Sequence, residues 1–358
     1  MLLQEDLQST SAHTRPSILI GAGGTGGHIY PGLALAAAIL RARPGARIDF
    51  VGTTRGLEGR LITGYPLHTV DMVPMIRSQA LRFPLALARA SLQCRALIRR
   101  VGAGVVVGMG GYSSAPLIAG ARLAGVPALV HESNAVPGRA NRFSAALTSH
   151  VALAMPSDGL AGRVVGMPLM PGLLGGSRAE ARQTYGVAEG TRLVIVNGGS
   201  AGAVRLNAAA VELAGRWRDR RDVRLVIKAG TEGADVLNDR LAALGAAHLA
   251  KAVPYLDRMD LAYAAADAMV CRSGSATVAE LDVCGVPAVL VPYPHAPHDH
   301  QTRNAMTLKD AVVLPDHELS GTALERALSS LPARSAGGDS PHLDAADRLA
   351  AWTLELIK

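Results

Sequence analysis

The sequence predicts an α/β protein made of two domains in tandem, each a parallel sheet wrapped by helices, and three observations carry that expectation. An apolar run enters a glycine turn and then a helical stretch at Ser17–Gly27, and Arg192–Gly202 repeats the plan about 175 residues later, one domain length. Short apolar runs alternate with helical stretches along the whole chain, as parallel strands with crossover helices require. The 358 residues are 49% hydrophobic but only 3% aromatic, so the cores are built from Ala, Leu and Val. That composition suits helix-on-sheet packing better than a β-sandwich.

In order, the first half shows strand-like runs at Ser17–Gly21, Arg47–Val51, Val105–Gly108, Ala128–Val130 and His150–Leu153, with a helix over Pro31–Arg43 after the first turn. The Gly- and Pro-rich stretch Gly166–Gly176 marks a boundary. The second half repeats strands at Arg192–Asn197, Val223–Lys228, Ala268–Cys271 and Ala288–Pro292, with a helix through Leu206–Trp217. After a polar segment, Ala333–Ser340, a last helix over about Leu343–Leu356 can pack on either domain. The expected units are residues 16–166, 177–335 and a C-terminal helix in 336–358. Ligands of open parallel sheets lie outside the carboxyl ends of the strands. Two such domains face to face would form a cleft where strand-end motifs converge.

Composition narrows the function. Charged residues at 18% exclude a disordered chain, and the long charge-free run Val101–Ala121 is broken by glycines and Pro116, so no spanning helix is expected. The first fifteen residues are polar and show no secretory signal. Cys94, Cys271 and Cys284 are scattered without a CxxC and read as reduced, packed thiols of a cytosolic protein. Net charge +7 calls for an acidic partner: a nucleotide, a phosphorylated lipid or an anionic membrane. No nucleic-acid partner is expected, because no basic block is interleaved with aromatics.

The first turn contains Gly21-x-Gly23-x-x-Gly26, but the following strand has no terminal acid for a nicotinamide cofactor's ribose; Asp49 lies inside the run. More telling is the number of such turns. Gly108–Pro116, Asn197–Gly202 and Arg272–Glu280 also follow apolar runs and precede helices. Glycine lets the backbone approach an oxyanion and a helix start supplies free N–H groups, so several such turns around one cleft suit a diphosphate. Economical βα turns are the simpler reading of each alone, but Ser200, Ser273, Ser275 and Thr277 add donors beside the glycines. His28, at a helix start, is kept neutral as a base requires, though a structural role stays open. His131, Glu132 and Asn134 follow another strand, as a polar ligand site or a structural network. Glu280 beside a phosphate turn is better suited to sugar or ribose hydroxyls than to the anion. His295–Asn304 is rich in His but lacks Cys and any HExxH pattern, and no Asp-x-Asp closes a strand. Neither a metal nor a cofactor is expected.

The ordered segments GGTGGHIYPGLALA, GMGGYSSAP, HESNAVPGRANR, NGGSAGAVRLN, CRSGSATVAEL and GVPAVLVPYPHAPHDHQTRNA, over roughly Ser17–Asn304, resemble the MurG family of peptidoglycan synthesis. The resemblance implies a GT-B architecture, two Rossmann-like domains with the active site between them. It implies inverting transfer of GlcNAc from UDP-GlcNAc to the muramyl 4-hydroxyl of undecaprenyl-pyrophosphoryl-MurNAc-pentapeptide at the cytoplasmic membrane face. By motif, Thr25, Gly26 and Gly27 would lie near the donor sugar and diphosphate, Asn134 on GlcNAc and Ser200 on the diphosphate. The backbone at Leu256 would contact uracil. Ser275, Ala276, Thr277, Val278, Ala279 and Glu280 would form the uridine and phosphate loop, with Glu280 on the ribose, and Gln301 would bind GlcNAc hydroxyls. His28 is the first choice of base and Glu132 the second.

One segment departs from the family pattern: GNPVR reads Gly166-Met-Pro-Leu-Met170, without its Asn and Arg, and Arg163 and Arg272 are the candidates to replace the lost cation. A diverged GT-B paralogue with another acceptor, an epimerase of similar fold and a catalytically impaired UDP-GlcNAc-binding protein are the alternatives. Met75–Phe83 mixes apolar residues with Arg77 and Arg82. On the next helix Leu87, Ala90, Cys94, Ile98 and Val101 form a core stripe opposite Arg82, Arg89 and Arg100. This basic and apolar region is the expected docking surface for an anionic inner membrane.

Overall fold

A computed structural model describes residues 15–53, 56–72, 83–111, 113–199, 203–335, 337 and 340–357. The first sheet comprises β1 (Ser17–Gly21), β2 (Arg47–Gly52), β3 (Leu67–Thr69), β4 (Val105–Gly108), β5 (Ala128–Glu132), β6 (His150–Leu153) and β7 (Arg163–Val164). Around it lie α1 (Gly26–Ala42), α2 (Glu58–Leu61), α3 (Phe83–Val101), α4 (Ser114–Ala124) and α5 (Arg139–Ala145). The second sheet comprises β8 (Arg192–Asn197), β9 (Val223–Lys228), β10 (Ala250–Val253), β11 (Ala268–Cys271), β12 (Ala288–Leu290) and β13 (Ala311–Val313). Its helices are α6 (Arg178–Thr184), α7 (Val204–Arg216), α8 (Ala234–Ala243), α9 (Met259–Ala265), α10 (Ser275–Cys284), α11 (His300–Ala305) and α12 (Gly321–Ser329). The chain then closes with α13 (Ala345–Glu355).

Both sheets are parallel and wound alike, in the orders β3-β2-β1-β4-β5-β6-β7 and β10-β9-β8-β11-β12-β13. The winding direction reverses between β1 and β4 in one and between β8 and β11 in the other, which opens a crevice at each carboxyl edge. The strands are continuous apolar runs because both faces are covered. Ile18 and Ile20 of β1 face Ile39 of α1, whereas Leu19 faces Cys94 of α3 and Leu117 of α4. Val194 and Val196 of β8 likewise face Leu206 of α7, and Leu193 and Ile195 face Leu261 of α9. The period of two sends successive side chains to opposite sides, so a charge lies on either side only where it finds a partner, as Asp49 of β2 does in Arg47 and His68. Cys94, Cys271 and Cys284 are buried and unbridged, and burial pushes each thiol up to about 12.

The last helix settles on the first domain. Leu349 and Ala350 of α13 join the core under α1, and Arg348 donates to the Val165 carbonyl at 2.9 Å. The chain therefore crosses between the sheets twice, and the crossings touch. Met167 N–H donates to His342 Nδ1 at 3.0 Å. Gly166, at φ +89°, lies so near Pro341 that a Cβ would fall 2.2 Å from its carbonyl oxygen, so no other residue fits there. On α3, Ala90, Cys94 and Ile98 are core as expected, while Leu85 (63% exposed) and Leu92 (57%) face outward with Arg89. Residues 75–82 of the expected docking segment lie outside the described residues. Among those described, no helix is long and apolar enough to cross a membrane.

Candidate active site

The turn after β1 is held from beneath. Glu58 is fully buried, and its Oε1 accepts from Gly24 N–H, Thr53 N–H and the Thr53 hydroxyl, each at 3.0 Å. Burial acts to raise its pKa, but the backbone amides of Thr53 and Gly24 outweigh it and the carboxylate stays below its usual range. Gly24 takes φ +89°, and a Cβ on Gly23 would meet Glu58 Oε1 at 2.7 Å. With the turn so fixed, His28 in the first turn of α1 places Nδ1 3.2 Å from the Gly23 carbonyl. A carbonyl can only accept, so Nδ1 carries the proton and Nε2 keeps its lone pair. Burial lowers the imidazole pKa, against the opposing pull of Glu132 and the Gly23 carbonyl; His300 from the second domain lowers it further. The ring lies on the Gly110 turn after β4, where a Cβ would approach its Cδ2 to 2.7 Å. Asp49, inside β2, is bound by Arg47 and His68 and is turned away from any ribose role.

At the end of β5, Glu132 is buried and saturated. Its Oε1 accepts from Asn134 N–H (2.8 Å) and Nδ2 (3.2 Å), and its Oε2 from Gly138 N–H (3.1 Å) and Asn141 Nδ2 (2.9 Å). This carboxylate shapes the 133–138 loop and has no oxygen free of a donor, which counts against its expected role as alternative base. Asn134 is also engaged, its Oδ1 accepting from Asn304 Nδ2 at 3.1 Å. Asn304, on α11 and fully buried, accepts from Ala135 N–H at 2.9 Å and donates to the Ser273 carbonyl at 3.3 Å. One amide thus ties the two domains beside the site. His131 is buried, and desolvation lowers its pKa to about 4.

The carboxyl edges face one another across a cleft of about 1130 Å³, lined by Thr25 on one side and by Gly198, Gly199, Gly274, Thr277 and Gln301 on the other. Gln301 Oε1 accepts from Tyr293 N–H at 2.9 Å, next to His298 and Asp299, which take the left-handed φ values of 55° and 51°. Two adjacent non-glycine residues in that region store backbone strain beside the cleft. A neighbouring cavity of about 480 Å³ is lined by Tyr30, Met170, Tyr255, Leu256, Ala276 and Glu280. Glu280 is raised to about 7 by burial, which the hydrogen bond from the Tyr263 hydroxyl, at 2.6 Å, opposes. Among the described residues no group of three or more His, Cys, Asp or Glu could hold a metal ion, the His-rich 295–300 stretch included.

The geometry brings together Thr25, Gly26, Gly27 and His28 on one wall and Ala276, Thr277, Glu280 and Gln301 on the other, with Ser275 buried at the start of α10. Val278 and Ala279 do not reach the cleft; one helical turn in, their side chains are buried in the apolar cores. Ser200 lies outside the described residues. Met167 is buried with Ala154 and Ala279 at the domain junction, and Met170 lines the smaller cavity. Neither proposed replacement cation is free. Arg163 lies over Trp352 at 5.5 Å, and Arg272 pairs with Asp316 at 2.7 Å. Sequence reasoning missed Glu58, Asn141, Tyr263 and Asn304. All four act on neighbours within the protein; only Asn141 and Asn304, each inside a quoted segment, carried a signal.

Two parallel α/β domains wound alike, with glycine turns meeting at facing carboxyl edges, define the GT-B fold, and the family models make the chain a glycosyltransferase. Residues 18–153 match the glycosyltransferase family 28 N-terminal domain and 193–336 the family 28 C-terminal domain. The chain is 42% identical to a Saccharopolyspora erythraea protein named UDP-N-acetylglucosamine--N-acetylmuramyl-(pentapeptide) pyrophosphoryl-undecaprenol N-acetylglucosamine transferase, over 86% of this chain and 84% of that one. A crystal structure of Acinetobacter baumannii MurG superposes with a TM-score of 0.74 at 26% identity, covering 95% of this chain and 99% of that one. The chain belongs to the MurG family. A UDP-GlcNAc 2-epimerase from Neisseria meningitidis, at TM-score 0.62 and 10% identity over 95% and 100% of the two chains, shares the fold alone.

Proposed function

We propose that this protein transfers GlcNAc from UDP-GlcNAc to the muramyl 4-hydroxyl of undecaprenyl-pyrophosphoryl-MurNAc-pentapeptide, with inversion at the anomeric carbon. The observation that carries the reading is the 3.2 Å contact of His28 Nδ1 with the Gly23 carbonyl, which leaves the Nε2 lone pair suited to act as base toward the acceptor hydroxyl. As that oxygen bonds to the anomeric carbon, the bond from the carbon to the UDP phosphate breaks. Backbone N–H groups at the start of α10 are suited to the charge that develops on UDP, beside the Gly198–Gly199 turn, whose Gly199 N–H is donated to Asn197 Oδ1 at 3.1 Å. The glycine edge of the cleft suits the diphosphate, and the cavity at Leu256, Ala276 and Glu280 suits uridine. Thr25, Asn134 and Gln301 are assigned to the sugar; Asn134 would first have to release Asn304. For the membrane-linked acceptor, the outward Leu85 and Leu92 with Arg89 support peripheral docking through the first domain at the cytoplasmic face. Relatives at this level of identity do not favour the paralogue or impaired-binder alternatives.

The test is UDP release from UDP-GlcNAc with and without the lipid-linked muramyl pentapeptide. Acceptor-dependent release with a disaccharide-linked lipid product is expected. Release that ignores the acceptor, or none at all, would overturn the proposal.

A further inference from the structure

Lys228 closes β9, in register with Asn197 at the end of β8. The residue is only 4% exposed, yet its ammonium donates to the Gly199 carbonyl at 2.6 Å and lies 4.6 Å from the centre of the Tyr255 ring. Among the described residues it has no carboxylate partner. The Arg side chains that line the two cavities each have a carboxylate partner, although one carboxylate serves two of them. Arg205 and Arg272 share Asp316, at 3.0 and 2.7 Å, and Arg258 is held by Asp260 at 2.6 Å.

A buried ammonium without a counter-ion is costly, and one carbonyl and one ring face compensate it only in part. Burial pulls its pKa down accordingly. The location explains what the cost secures. Gly199 lines the larger cavity and Tyr255 the smaller, so the ammonium lies beneath the ridge between them. By taking the Gly199 carbonyl, Lys228 withholds that oxygen's lone pair from the path of an anion. Its positive field, weakly screened there, reaches into the cleft.

Resting on the donor site proposed above, we propose that Lys228 is a positioning residue for the donor's pyrophosphate, holding the Gly198–Gly199 turn open to an anion and supplying the charge that balances it. It acts through Gly199 and its field, not by touching the sugar.

Calorimetric titration of uridine, UMP and UDP into the full-length wild type, K228M and K228R separates this role from a purely structural one. K228M should bind UDP about tenfold or more weakly, UMP less affected, and uridine within about twofold of wild type. K228R should keep most of the UDP affinity, because the charge is retained. Equal losses for uridine and UDP, or unchanged UDP binding by K228M, would overturn the proposal. Should K228M fail to fold, K228Q keeps a donor to Gly199 without the charge and makes the same comparison. A wild type that does not bind UDP defeats the donor-site reading itself; a wild type that binds UDP no better than K228M defeats only the role of Lys228.

Discussion

The Tyr263 hydroxyl donates to Glu280 Oε2 at 2.6 Å, joining α9 to α10 at the wall of the smaller cavity. Burial holds the Glu280 carboxyl near 7, and this hydrogen bond is what keeps it from rising further. A ribose contact needs the carboxylate, which is lost as pH falls through that value. The KM for UDP-GlcNAc should therefore climb below pH 7, by about tenfold per pH unit at the limit. In Tyr263→Phe the climb should begin at higher pH. Steady-state kinetics between pH 5.5 and 9 (on the order of one measurement per half unit) check both; a KM flat across that window in the wild type removes Glu280 from donor binding.

His28→Ala should lower kcat by about a hundredfold or more while leaving UDP affinity near wild type. Because burial depresses the His28 pKa, the acid limb of kcat/KM attributable to it should fall below the usual imidazole range. Gly110→Ala should imitate the loss, since the new Cβ would press on the ring at 2.7 Å and strain a backbone at φ +100°. If turnover survives both changes, the base lies elsewhere.

Glu132→Gln tests the carboxylate that the loop has already claimed. A carboxamide can satisfy the donors on one side but opposes those on the other, so the loop should loosen at a cost of about 1–3 kcal/mol. Thermal melting should show the destabilisation, and the pH profile of turnover should keep its shape. Loss of the acid limb without loss of stability would restore Glu132 as the base.

Asn304→Ala removes the amide that bonds Asn134, Ala135 and Ser273 across the domain junction. The stranded Ala135 N–H should cost about 1–3 kcal/mol. A melting temperature equal to wild type would show that water replaces the amide without penalty.

Leu349→Ala, in the core between α13 and α1, should destabilise the protein by about 2–5 kcal/mol, read from urea unfolding. A variant as stable as wild type would mean that α13 is loosely held.

The fold was legible because parallel strands covered on both faces must be apolar along their whole length, as β1 and β8 are. Two such runs, each opening into a glycine turn, announced two domains. His28, Thr277 and Glu280 drew attention for a related reason, since polar side chains at strand ends and helix starts have few structural uses; Thr25 came only from the family motif. Glu58, Tyr263 and Lys228 were not. Each earns its place by touching a residue distant in sequence, and no local pattern encodes such a pairing. Val278 and Ala279 erred in the opposite sense. A segment quoted as a motif includes the positions whose helical phase turns them inward, and at 3.6 residues per turn half of a short helix must face the core. The packing of α13 was left open because its amphipathic face fits either domain, and only contacts distant in sequence choose between them: Leu349 and Ala350 under α1, Asp347 with Arg41 and Arg348 with Val165.

The paired crossings at Gly166–Met167 and Pro341–His342 act as a single short spindle. With two strands of chain pinned side by side, shearing and unscrewing of one half against the other are resisted, whereas flexing like a book about its spine is not. Asn304 and Thr307, whose hydroxyl reaches Met155 Sδ at 3.9 Å, lie away from that spine, so their contacts are the catches that must let go for the covers to part.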